Sequence, residues 1–187
     1  MIRSLFINKQ ALEKGAVRPA EVADQSVKKV GVLGAGMMGA GIALVSAQAG
    51  IDVVLIDQSQ EAADKGKAYS EAYMDTGIKR GKATSEKKEA LLSRITATTD
   101  YAALKDADLI IEAVFEDPEI KATVTKAVEA VIPETCIFAS NTSTLPISDL
   151  AKSSVRPEQF IGIHFFSPVE RMMLVEIIKG KETGDRA

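Results

Sequence analysis

One cysteine, one histidine and no long apolar run bound this chain before any motif is considered. The lone cysteine, Cys136, allows no internal disulfide and suits a reducing compartment. Its setting in "ETCIFAS" favours buried filler over a reactive thiol. Basic charge is not in excess: 23 Lys and Arg against 26 Asp and Glu give a net charge of −3 and a pI near 5.4. A nucleic-acid binder would normally show a basic face, so no nucleic-acid partner is expected. The longest apolar region, residues 42 to 56, is broken by Gln48, Gly50 and Asp52, which leaves no run long enough for a membrane span. Internal repeats and low-complexity segments are also absent.

What remains is an ordinary globular mixture. The 187 residues, 46 % hydrophobic and 26 % charged, suffice for one domain with a sizeable core. The first 20 residues carry Arg3, Lys9, Lys14 and Arg18 against a single Glu13, a faint likeness to a mitochondrial transit peptide. Gly15, Pro19 and scattered charge in "EKGAVRPAEVADQS" make a linker the preferred reading, so residues 1–27 are expected as a leader and 28–187 as the domain.

From Lys28 short apolar runs alternate with longer amphipathic ones. "KKVGVL", "DVVLID", "ITATT", "ADLIIEAV", "TCIFAS", "QFIGIHF" and "MLVEII" have the length and composition of strands. "MMGAGIALVSAQAG", residues 61 to about 80, "SEKKEALLSR" and "PEIKATVTKAVEAVI" have the spacing of helices, the last with Pro118 in its first turn. This alternation predicts an α/β domain with a doubly wound, mostly parallel sheet.

Directly after the first strand stands "GAGMMG", with Gly34, Gly36 and Gly39 as GxGxxG. Such glycines permit a tight turn, close approach of backbone to a pyrophosphate, and tight packing of the next helix. That helix directs its N-terminal N–H groups and positive dipole end at the phosphates. Asp57, 23 residues after Gly34, ends the next strand, where a carboxylate can bind both hydroxyls of an adenosine ribose. The same charge repels a 2′-phosphate and no arginine follows in "DQSQE", so the expected cofactor is NAD and not NADP. The plainer alternative is a structural glycine turn with a capping Asp57.

"GIHFFSPVERMMLVEII" holds the sole histidine, His164, at a strand end, and Glu176 inside a run expected to be buried. An unpaired buried carboxylate costs several kcal/mol. Bonded to His164 it would fix the imidazole tautomer and favour the charged form, leaving the other nitrogen as acid or base. An ion pair of Glu176 with a Lys or Arg is the alternative, and a single histidine is often merely structural. In "SNTSTLP", Asn141, Thr142, Ser143 and Thr144 cluster short hydrogen-bonding side chains after a strand, suited to a substrate contact or to capping the following helix.

Four motifs in order, "GVLGAGMMGAGIA", "LIIEAVFEDPEIK", "FASNTSTLPI" and "GIHFFSPVERMMLVEII", resemble the NAD-binding domain of L-3-hydroxyacyl-CoA dehydrogenases over residues 28 to 180. The resemblance implies an acyl-CoA substrate, with His164 as general base, Glu176 holding it, and Ser143 bonding the substrate's 3-oxygen beside the nicotinamide. It places Met37, Met38, Gln58, Val114, Glu116, Lys121 and Asn141 along the cofactor with the glycines and Asp57, although composition alone makes Glu116 and Lys121 surface charges. Arg80 matches a position near the CoA tail, where a solvated helix end is the plainer account. Ser167 stands where many members have asparagine, a departure that leaves acyl-chain preference or rate open to change. No metal is implied.

The leader also resembles the segment joining hydratase and dehydrogenase parts of multifunctional fatty-acid oxidation proteins, so Met1 is expected to start an excised piece. Only "KGKETGDRA" follows Ile178. The family's helical second domain, which supplies a dimer interface, a wall of the cleft and a catalytic asparagine, is therefore expected to be missing, and turnover by this chain to be weak. The parent is expected to be a homodimer or part of a β-oxidation complex, in bacterial cytoplasm or, alternatively, the mitochondrial matrix. Two rivals stay open: a related NAD-dependent hydroxy-acid or sugar-acid dehydrogenase, and a non-catalytic NAD-binding module.

Overall fold

Strand-forming Val, Ile and Leu runs, each too short for a helix, build a seven-stranded sheet: β1 (Lys29–Leu33), β2 (Asp52–Ile56), β3 (Ile95–Thr98), β4 (Leu109–Glu112), β5 (Ile137–Ser140), β6 (Phe160–Phe165) and β7 (Val175–Ile178). The computed structural model describes residues 7–16, 18–23 and 25–187. Met1 and Arg3, on which part of the leader reading rests, lie outside the described residues.

The strand order is β3-β2-β1-β4-β5-β6-β7, parallel throughout except for antiparallel β7. Order reverses between β1 and β4, which opens a crevice at the strands' carboxyl ends, the place where sheets of this class bind ligands. This is the expected Rossmann-type architecture. The helices are α1 (Lys9–Glu13), α2 (Met37–Gln48), α3 (Gln60–Lys79), α4 (Ser85–Ser93), α5 (Pro118–Glu129) and α6 (Ile147–Leu150). Two start signals act as their chemistry suggests. Ser59 caps α3 by accepting the Ala62 N–H, and Asp117 caps α5 by accepting the Glu119 and Ile120 N–H groups, with Pro118 at the first helical position.

Alternation along β1 divides the core. Val30 and Val32 face one layer with Ile42, Leu44 and Leu55. Leu33 faces the other with Ile110, Val128, Phe138 and Phe160. Cys136 is buried in this second layer, which pushes its thiol up to about 12 and keeps it protonated.

Two sequence expectations need correction. "ADLIIEAV" is a strand only from Leu109 to Glu112, because the Val114 N–H then bonds the Glu112 carboxylate and no longer a neighbouring strand. "MLVEII" was expected to be buried, yet all four residues of β7 are exposed. Among the described residues β7 is an edge strand paired only with β6, and Met173 and Leu174 beside it lie open. Upstream, Arg18, Pro19, Val22 and Gln25 lie against Ile161 and Ile177 around a cavity of about 440 Å³.

Candidate functional site

The glycine loop links β1 to α2 at the crevice, and each glycine answers a different constraint. Gly34 has φ +91°, and a Cβ there would meet the Ala113 carbonyl oxygen at 2.6 Å. A Cβ on Gly39 would stand 1.7 Å from the Gly34 carbonyl oxygen, so helix and loop touch only because it is absent. Gly36 differs: a Cβ there would meet nothing within 4 Å. Among the described residues no neighbour demands glycine at Gly36, and the open space there suits close approach of a pyrophosphate to the backbone. Gly36 is also the N-cap of α2 and offers no side-chain cap, leaving first-turn N–H groups for an anion. The residues present therefore fit a dinucleotide.

Asp57 stands at the end of β2, beside the loop. Its Oδ2 accepts the Ala35 N–H at 2.6 Å and its Oδ1 the Gln58 N–H at 2.7 Å. These bonds aim the carboxylate over the loop and leave acceptor capacity on both oxygens. Gln58 is exposed beside it, Met37 is 72 % exposed at the start of α2, and Met38 packs partly into the core. The Tyr101 hydroxyl is held above its usual range by burial and then by the charge of Asp57.

Across the crevice the histidine and the glutamate meet. β6 and β7 pair His164 directly with Glu176, and His164 Nδ1 lies 2.8 Å from Glu176 Oε2. The antiparallel register thus makes one side-chain pair from residues twelve apart in sequence. His164 is 18 % exposed and Glu176 51 %, so the pair sits at the rim of the sheet, with Glu176 not buried as expected. Phe166 packs on the imidazole at a centroid distance of 4.6 Å. Asn141, at the end of β5, accepts the Phe165 N–H at 2.9 Å and so fixes the strand end that carries the histidine.

The serine and threonine cluster winds about Glu116. Its Oε1 accepts the Thr142 hydroxyl, the Ser143 N–H at 3.1 Å and the Thr144 N–H at 3.4 Å. Burial alone would raise the Glu116 pKa, but the Thr142 bond and then the Lys121 charge outweigh it and hold the carboxyl below its ordinary range. Capping is not the cluster's main use, because α6 has Pro146 at its N-cap and no side-chain cap bond. Ser143 is left exposed at the turn's apex, and Val114 lies partly buried below.

Lys121 overturns the expectation of a surface charge. It is 2 % exposed, with its ammonium 2.7 Å from Glu112 Oε1 and 3.2 Å from Glu116 Oε2. Lys121 and Thr125, one turn apart, share the face of α5 that turns inward, which carries the lysine under the sheet's end. Glu112, not foreseen, is 1 % exposed. The signal that singled out Glu176, a carboxylate inside an apolar run, was equally present in "LIIEAV".

A groove of about 1040 Å³ runs beside α3 and α4, lined among others by Tyr69, Tyr73, Arg80, Lys82, Lys87 and Arg94. Arg80, the C-cap of α3, is exposed on its wall. The loop carrying Ser167 reaches from the histidine strand toward this groove. Ser167 Oγ lies 3.8 Å from Met37 Sδ, and Glu170 and Arg171 line the groove itself. Tyr69 has its hydroxyl pKa raised, first by burial and then by a hydrogen bond with Glu170. Among the described residues no group of acidic, histidine or cysteine side chains is placed to hold a metal.

Strand order, glycine loop and terminal Asp57 define a dinucleotide-binding domain with a histidine–carboxylate pair at its crevice. The family model described as 3-hydroxyacyl-CoA dehydrogenase, NAD binding domain matches residues 29–187, and the chain belongs to that family, with NAD as its cofactor. It is 44 % identical over 181 residues to a fatty acid oxidation complex subunit alpha of Idiomarina loihiensis, covering 97 % of this chain and 25 % of that protein. Among solved structures it is similar to (S)-3-hydroxybutyryl-CoA dehydrogenase of Ralstonia eutropha, at 42 % identity and a TM-score of 0.83, over 86 % of this chain and 56 % of that one. The 3-hydroxybutyryl-CoA dehydrogenase of Escherichia coli gives 39 % and 0.82 over 86 % and 34 %. The chain thus spans a quarter to about half the length of these relatives.

Proposed function

We propose that this chain is the cofactor-binding half of an enzyme that oxidises L-3-hydroxyacyl-CoA to 3-ketoacyl-CoA. The observation that carries the proposal is the His164–Glu176 pair at 2.8 Å, at the strand end whose following loop brings Ser167 within 3.8 Å of Met37 in the glycine loop. Gly34, Gly36, Met37, Met38 and Gly39 hold the pyrophosphate, with Asp57 and Gln58 at the adenosine ribose. Val114, Glu116, Asn141 and Ser143 line the nicotinamide side. Lys121 serves there through Glu116, since its ammonium is enclosed. NAD, when bound, supplies the hydride acceptor.

The protein's part is acid–base work and orientation. Glu176 accepts from His164 Nδ1, which leaves Nε2 as the acceptor for the proton of a substrate 3-hydroxyl. The imidazolium then formed is stabilised by the same carboxylate. Ser143, at the apex of a turn held by Glu116, is placed to bond the 3-oxygen. The groove's cations and tyrosines suit a phosphorylated nucleotide tail and favour a CoA thioester over a small hydroxy acid, with Arg80 and Ser167 among the substrate contacts.

With the β7 side open, this chain alone is expected to turn over acyl-CoA poorly. In a longer protein that includes this domain, His164→Gln should lower acetoacetyl-CoA reduction roughly 100-fold, the usual scale for losing a general base. Unchanged turnover, or equal activity on unactivated hydroxy acids, would overturn the assignment. The likeness to the bacterial complex subunit supports a bacterial cytoplasmic setting and a place in a larger assembly. No helix among the described residues is long and apolar enough to cross a membrane.

A further inference from the structure

Glu112 touches three elements below the cleft. Oε1 accepts from Lys121 Nζ at 2.7 Å and from the Val114 N–H at 2.8 Å, and Oε2 accepts from the Ser140 hydroxyl at 2.6 Å. Its backbone carbonyl accepts the Asn141 N–H at 2.7 Å. Lys121 extends the chain of contacts to Glu116, and Glu116 extends it to Thr142, Ser143 and Thr144. Three charges, two of them at most 2 % exposed, thus join the ends of β4 and β5 to the start of α5.

Buried ion pairs are weak sources of stability, since apolar groups of similar volume often serve as well or better. This one is placed where rigidity matters to a ligand. It lies on the β4–β5 side of the switch point, while the adenosine side at Asp57 belongs to β2, across β1. We propose that Glu112 is a positioning residue: through Lys121 it holds Glu116, and through Ser140 the end of β5, so that the Thr142–Thr144 turn keeps the shape that receives the nicotinamide half of NAD. Glu112 is enclosed and touches no cofactor, so its effect passes through Glu116 and the turn. The inference rests on the reading of this crevice as the NAD site.

The test compares two nucleotides on this chain. NADH carries both halves of the cofactor, whereas ADP-ribose carries the adenosine half and pyrophosphate without nicotinamide. Glu112→Gln keeps size but weakens the hold on Lys121. Because the effect reaches the nucleotide only through Glu116 and the turn, its Kd for NADH should rise about tenfold, with the Kd for ADP-ribose unchanged. The double variant Glu112→Gln with Lys121→Met, which leaves no uncompensated buried charge, should show the same selective loss. Equal affinities for NADH, or equal losses for both nucleotides, would overturn the proposal, the second by reducing Glu112 to a support of the fold.

Should Glu112→Gln not fold, Ser140→Ala supplies the same comparison with the ion pair intact. A smaller but still selective NADH loss supports the proposal, and no selectivity overturns it. A folded wild type that binds neither nucleotide would instead refute the site reading itself, a result distinct from any pattern among the variants.

Discussion

Gly36 and Gly39 stand three residues apart and should respond to substitution in opposite ways. Gly36 has φ −65°, and a Cβ there would meet nothing within 4 Å among the described residues. Gly36→Val should cost only about 1 kcal/mol, as a poorer N-cap of α2, and yet abolish tight NADH binding, because the side chain occupies the pyrophosphate's path. Gly39→Ala forces a Cβ against the Gly34 carbonyl and should cost about 1–3 kcal/mol, measured by urea denaturation. If Gly36→Val binds NADH as the wild type does, the loop does not cradle a pyrophosphate. Both positions were legible in GxGxxG as a pattern, but the division between a packing glycine and a ligand glycine was not. That division depends on what lies opposite each Cα, which only the packed loop defines.

Among the elements, the turn after β5 depends on a carboxylate from the turn after β4. Glu116 has its pKa lowered from 4.5 in the folded state, so its contribution is fully present above the unfolded value and is lost as pH falls through the lower folded value. Wild type should therefore exceed Glu116→Gln in stability above about pH 4.5, and the two should converge in more acid solution. Denaturation midpoints measured across this range check it, and a difference that persists in acid would show that ionisation of Glu116 is not what holds the turn. The serine and threonine cluster was visible in sequence, while its organiser was not. Glu116 lies 26 to 28 residues before its partners, and nothing local marks the connection. The burial of Lys121 is hidden from the sequence for a related reason. A lysine in the first turns of an amphipathic helix is normally solvated, and only the meeting of α5 with the end of β4 supplies the buried Glu112 that lets it go inside.

At the scale of the whole molecule, the sheet order assigns the labour. β2 brings Asp57 to one side of the switch point, while β4, β5 and β6 bring Glu116, Ser143 and His164 to the other. The alternation of strands and helices predicted this architecture, and register made His164 and Glu176 neighbours as the motif suggested. Exposure of Glu176 was not foreseeable from an apolar run, because burial of a strand depends on what covers it, and β7 is an uncovered edge. The groove beside α3 and α4 was equally hidden, since its walls come from three helices and the loop after β6.

The central claim is that this chain forms a site for NAD whose Asp57 selects the unphosphorylated ribose. Parallel fluorescence titrations of the chain with NADH and NADPH test it most directly. Saturable NADH binding, clearly tighter than NADPH and weakened by Asp57→Ala, is the predicted result. Equal affinity for the two nucleotides, or no binding by a chain shown to be folded, would contradict it.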